Sequence, residues 1–161
     1  MTMGRIFLDG IRLPQKQAMF RLNRVRMGKT IAYFFLLMIL VSLPEAVRFI
    51  LAPHPELDEE IPLTLFILQF SVYYYLLFVF VGLLAVSVSA GFGKLFSTAA
   101  QRKLTYQQIW KVTAFALTGP LLLFTCAQSF GWQSSLLLLL LFLLTLSIVF
   151  RIILHFPRKQ S

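Results

Sequence analysis

Acidic residues are scarce in this sequence. Six Asp and Glu stand against 15 Lys and Arg, and four of the six, Glu56, Asp58, Glu59 and Glu60, fall in one short segment. From Ile61 to Gly93, and again from Ser134 to Phe150, there is no charge at all. About a quarter of the residues of a soluble domain are charged, so 13% charged and 58% hydrophobic residues with a mean hydropathy of +0.80 exclude an ordinary soluble fold. The single cysteine, Cys126, excludes an intrachain disulfide, and inside an apolar stretch it reads as a small packing residue. Catalytic signatures are missing as well: there is no nucleophile elbow, no HExxH and no glycine-rich phosphate loop, and Gly91-Phe92-Gly93 precedes no fold that would make it one. No pair of aspartates lies in the apolar stretches to support an intramembrane protease.

What is present are stretches of membrane-spanning length. A helix rising ~1.5 Å per residue needs about 20 apolar residues to cross the ~30 Å hydrocarbon core, where lipid offers the backbone no partner. The pattern predicts an all-α integral membrane protein, a bundle of four transmembrane helices at about 31–51, 62–90, 107–127 and 135–154, preceded by a basic amphipathic N-terminal segment (1–30) and followed by a basic tail (155–161). The 161 residues leave no room beside these spans for a separate soluble catalytic domain. The first span is expected to be interrupted late, by Pro44, Glu45 and Arg48. It follows seven Lys and Arg with no small-x-small cleavage pattern after Leu43, so it reads as a retained signal anchor. The second begins near Pro62, which suits a first helical turn, and Gly91, Gly93 and Lys94 are expected to open the connection that carries Arg102 and Lys103. Thr105 and Gln108 fit a capping box at the start of the third span, with Trp110 and Lys111 at the interface. Gly119 and Pro120 should kink that span, because proline removes one helical hydrogen bond and clashes one turn back. Ser129 to Ser134 reads as a tight uncharged turn. The leucine-rich fourth span is expected at the periphery of the bundle.

Seven cations precede the first span, three lie between the second and third, three close the chain, and none lies in the other two connections. The positive-inside rule then places both termini and the middle connection in the cytoplasm and the acidic connection outside. Gln15 to Gly28 is expected to form a short amphipathic helix in the headgroup layer, or else an unstructured anchor, with Arg21, Arg24, Arg26 and Lys29 contacting anionic lipid. The basic residues are accounted for by the membrane, so no nucleic-acid partner is expected.

Glu45 and Arg48, spaced i, i+3, can share a helix face and pair. They read either as a polar site facing the bundle interior or as charges reaching the outer headgroups. Ala85, Ser89 and Gly93 recur every fourth residue and allow close helix approach, within the bundle or across a dimer. Tyr73, Tyr74 and Tyr75 point around the second helix, where interhelical hydrogen bonding is the ordinary role. His54 beside the acidic cluster lacks converging ligand geometry, so no metal is expected, and no cofactor or catalytic residue is identified.

Two stretches carry a family resemblance. LPQKQAMFRLNRVRMGKTIAYFFLLMILVSLPEAVRF (Leu13–Phe49) and LTYQQIWKVTAFALTGPL (Leu104–Leu121) resemble the DUF1189 membrane proteins of Gram-positive bacteria, the second being similar also to the Yip1-type membrane domain. The connection between the first two spans is shorter here than in larger members of that family. The resemblance implies a multi-pass protein of the bacterial cytoplasmic membrane; some relatives are named for maltodextrin utilisation, and the family supplies no catalytic residues. The expected role is therefore non-enzymatic, an accessory or regulatory partner of a membrane complex. The alternative is a small oligomeric transporter or channel subunit using Glu45, Arg48 and the Gly119-Pro120 kink.

Overall fold

The structure, a computed structural model, describes residues 2–51, 63–130 and 135–157. Among them the chain is all-helical, in seven helices: α1 (Met3–Ile11), α2 (Lys16–Asn23), α3 (Met27–Leu51), α4 (Leu63–Ala99), α5 (Tyr106–Ala116), α6 (Thr118–Ser129) and α7 (Ser135–Leu154). Four helical segments are long and apolar enough to cross a membrane: Met27–Arg48, Thr64–Ala99, Tyr106–Ser129 and Leu136–Leu154. His54 and the acidic cluster at 56–60 lie outside the described residues, as does most of the expected turn at 129–134.

The unit formed by α5 and α6 is the centre of the molecule. Half of its apolar window is buried, against 22% for α7, which keeps Leu136, Leu138, Leu139 and Leu140 exposed at the edge of the bundle. One core cluster joins Phe34 and Met38 of α3, Val86 and Ala90 of α4, Ile109 and Trp110 of α5 and Val149 and Ile152 of α7. The start of α5 is fixed by a capping box in which Thr105 Oγ1 accepts from the Gln108 amide at 3.3 Å and Gln108 Oε1 accepts from the Thr105 amide at 3.0 Å.

Several boundaries differ from those expected. Helix α3 runs unbroken through Pro44 to Leu51, because forgoing one hydrogen bond costs less than ending a helix among apolar neighbours. Helix α4 does not stop near Ala90 but continues to Ala99, 37 residues or roughly 55 Å at 1.5 Å per residue. Gly93 serves close approach there: a Cβ at this position would lie 2.8 Å from Ile109 Cγ2 and 3.3 Å from Val149 Cγ1. The helix ends instead in a Schellman arrangement, with the Arg102 amide donating to Ser97 O (2.8 Å) and the Gln101 amide to Thr98 O (3.1 Å). Gln101 takes the left-handed position at φ 54° that glycine ordinarily fills. The third span consists of two helices that meet at Leu117, one turn before Pro120, where the proline leaves the Ala116 carbonyl without its helical donor. Thr118 Oγ1 bonds Phe115 O at 2.8 Å across the break.

The largest departure is at the N-terminus. In place of one interfacial helix over 15–28, α1 and α2 form a hairpin with one apolar face buried in protein, at Ile6, Ala18, Met19 and Leu22. Ile6 of α1 and Leu22 of α2 pack with Tyr33, Leu37 and Phe115, and Met19 joins the main core. Gly10 lets α1 approach the bundle closely, since a Cβ there would meet Thr118 Oγ1 at 2.8 Å and Tyr33 Oη at 3.3 Å. Thr118 lies roughly 18 Å along α5–α6 from Tyr106, so the hairpin reaches well down the bundle.

Candidate functional site

The polar chemistry of the described chain gathers mainly at one end of the bundle, where α2, the start of α3, the α4–α5 connection and the end of α7 meet. Ring contact between Phe20 and Phe156 (centroids 6.3 Å apart) brings α2 to the end of α7. Three cations here turn inward to backbone carbonyls. Lys111 Nζ donates to Asn23 O (2.8 Å) and Val25 O (3.1 Å), where α2 ends. Lys94 Nζ donates to Leu104 O at 2.7 Å, and Arg102 donates to Phe156 O just beyond α7. Helix C-termini leave carbonyls unpaired and carry partial negative charge, so Lys111 at the end of α2 and Arg102 at the end of α7 meet both needs, whereas Lys94 ties down the connection just before α5.

The two carboxylates among the described residues are each close to an arginine. Asp9 of α1, 5% exposed, accepts from Arg21 of α2 at 2.8 Å, closing the hairpin with an ion pair. Arg21 is thus partly committed within the protein, although half its side chain remains exposed. Arg24, Arg26 and Lys29 are exposed with no side-chain hydrogen bond or ion pair among the described residues, as are Lys103 and Arg151 nearby. Beside Arg21 and Arg24 is an open depression lined also by Gln17 and Phe20.

At the other end, Glu45 and Arg48 lie 3.8 Å apart, half-buried, on one face of α3. Arg48 also donates to Gln128 O near the end of α6, so its guanidinium fastens α3 to α6. Glu45 Oε2 is buried and accepts no hydrogen bond among the described residues. The third polar place is deep between α3 and α6, where Tyr33 Oη and Thr118 Oγ1 share a buried hydrogen bond of 2.7 Å.

Of the remaining candidates, Ser89 and Gly93 are buried within the chain, Gly93 against α5 and α7, while Ala85 borders a cavity with Gly82 and Pro120. Gly119 and Pro120 sit just past the α5–α6 break, with Pro120 buried. Tyr75 Oη donates to Phe35 O at 3.4 Å across α4 and α3, while Tyr73 is exposed. Trp110, expected at the interface, is instead 8% exposed, with its indole N–H on Ser87 Oγ at 3.4 Å. It packs against Phe34 because α2 and α3 cover this end of α5. Asp9 was the residue sequence reasoning overlooked; a lone acid in a strongly basic segment is the signal that it has a partner.

No group of three or more potential metal-ligating side chains converges among the described residues. The family model described as "Protein of unknown function (DUF1189)" matches residues 55–153, which includes α4 to nearly all of α7 and Leu104–Leu121, and begins after Leu13–Phe49. Comparison with curated proteins and with solved structures finds no match. With more than half of its length matched by that model, the chain belongs to the DUF1189 family.

Proposed function

We propose that the protein crosses the bacterial cytoplasmic membrane four times, through α3, α4, α5–α6 and α7, and serves without catalysis as an accessory or regulatory subunit of a membrane complex. The observation that carries this reading is how the polar side chains are used. Lys94, Arg102, Lys111, Arg48, Tyr33 and Thr118 all hold elements of the chain to one another. They build a scaffold, and Arg24, Arg26, Lys29, Lys103 and Arg151 are left facing outward at one end. The positive-inside rule puts that end, with both termini, in the cytoplasm. There each cation beside an anionic leaflet contributes about 1 kcal/mol to lipid attraction. Arg24, Arg26, Lys29, Lys103 and Arg151 are the lipid contacts of this reading. The exposed Phe20 of α2, beside Phe156 at this end, suits the same interface.

Crosslinking in native membranes, followed by purification in mild detergent and mass spectrometry, tests the assignment. A reproducible membrane-protein partner at comparable abundance is the expected result. Recovery of self-crosslinked copies alone, with solute flux in reconstituted vesicles, would overturn it in favour of an oligomeric transport pathway.

A further inference from the structure

Between α3, α4, the α5–α6 break and α7 lies a cavity of about 310 Å³. A small residue and a helix break border it: Ala85 has one side-chain carbon, and Pro120 follows the point where α5 gives way to α6, while at Gly82 Met38 and Phe34 press in close, 2.9 and 3.1 Å from where a Cβ would lie. Its walls are otherwise Met38, Phe78, Phe124, Leu141 and similar side chains, and its one hydroxyl, Thr145 Oγ1, already donates to Leu141 O at 2.8 Å. Among the described residues no charged group and no uncommitted donor faces the space, so a polar ligand would lose its hydration without compensation. Val81 and Leu138 also line it and are half-exposed, so the cavity opens sideways between α4 and α7 onto the apolar flank of the bundle.

We infer that this cavity is a binding site for the end of a phospholipid acyl chain, entering from the bilayer between α4 and α7. The inference rests on the membrane-spanning reading above. Depth selects the chain end as occupant: Met38 lies roughly 17 Å along α3 from Met27, and Pro120 roughly 21 Å along α5–α6 from Tyr106. Those positions fall near the middle of a ~30 Å hydrocarbon core, where the termini of chains from either leaflet are found. Size agrees, since apolar cavities half as large stay dry and take up small hydrocarbons.

The full-length protein in vesicles of phosphatidylethanolamine and phosphatidylglycerol, doped with phosphatidylethanolamine carrying a diazirine on one acyl chain, provides the test. Two probes are compared, one with the diazirine at the chain end and one with it next to the carbonyl. After photolysis, mass spectrometry should find Ala85 and Leu141 labelled about fivefold more by the chain-end probe than by the other, as expected for a site near the bilayer centre. Ala85→Phe, which fills the space, should lower cavity labelling about tenfold and leave labelling of the outward-facing Val88 unchanged. Equal labelling of the cavity by both probes, or labelling of outward residues alone, would overturn the inference; the comparison of probes decides even if Ala85→Phe does not fold. A crosslink from the cavity to a second copy would overturn it in favour of a protein–protein seam. Absence of label on every face, Val88 included, would instead count against the membrane-spanning reading itself.

Discussion

The two ends of the bundle treat charge differently. At the basic end, Lys94, Arg102 and Lys111 each reach a carbonyl at or near the end of another helix, and the cations they leave behind stay exposed. At the other end Arg48 alone serves both a carbonyl, that of Gln128, and a carboxylate, that of Glu45. A chain with two carboxylates among its described residues thus uses backbone carbonyls as partners for its cations, at the C-terminal ends of α2, α6 and α7 and, for Lys94, in the α4–α5 connection, which joins helices without adding a second buried ion. The surplus positive charge is then free to act outside the fold.

Breaking the basic end should have the larger effect. Lys111→Met removes two charge-assisted hydrogen bonds and orphans the Asn23 and Val25 carbonyls, at an expected cost of about 3 kcal/mol. Thermal unfolding in detergent should show this as a lowered midpoint, and limited proteolysis should cut faster between Arg24 and Lys29 as the hairpin detaches. Arg21→Ala leaves Asp9 buried without its partner. Because Arg21 itself is half-exposed, about 2 kcal/mol is expected rather than the full cost of breaking a buried pair. The Asp9→Ala, Arg21→Ala double variant should recover part of that loss. At the far end, Arg48→Ala should cost about 1.5 kcal/mol by freeing the Gln128 carbonyl. Glu45→Gln should cost less than Arg48→Ala, because its Oε2 holds no hydrogen bond. A reversed order would show that the carboxylate, and not the helix end, is what Arg48 serves. The smallest effect should be a gain: Gln101→Gly relieves the left-handed backbone and is expected to raise stability by about 1 kcal/mol.

The apolar lengths of the four long segments and the family were readable because composition and a few quotable stretches carry them. The capping box at Thr105 was readable for the same reason, being encoded within four residues. What escaped the sequence depends on contacts far apart in the chain. Gly91 and Gly93 resemble a helix end when read locally, yet Gly93 lies inside α4 because Ile109 and Val149 press against it. The run from Gln15 to Gly28 reads as an interfacial helix, but only the surfaces of Tyr33, Leu37 and Phe115 reveal that protein is available to cover its apolar face. Lys111 carries no local mark of capping α2, a helix about 88 residues earlier.

A four-span arrangement with the basic end inside the cell fixes which residues can be reached from outside. In a Cys126→Ala background, single cysteines at Glu59, Lys103 and Gln15 can be treated with a membrane-impermeant maleimide, in intact and in permeabilised cells. The four-span arrangement requires labelling of Glu59→Cys in intact cells, with Lys103→Cys and Gln15→Cys labelled only after permeabilisation. Labelling of Lys103→Cys in intact cells would contradict it.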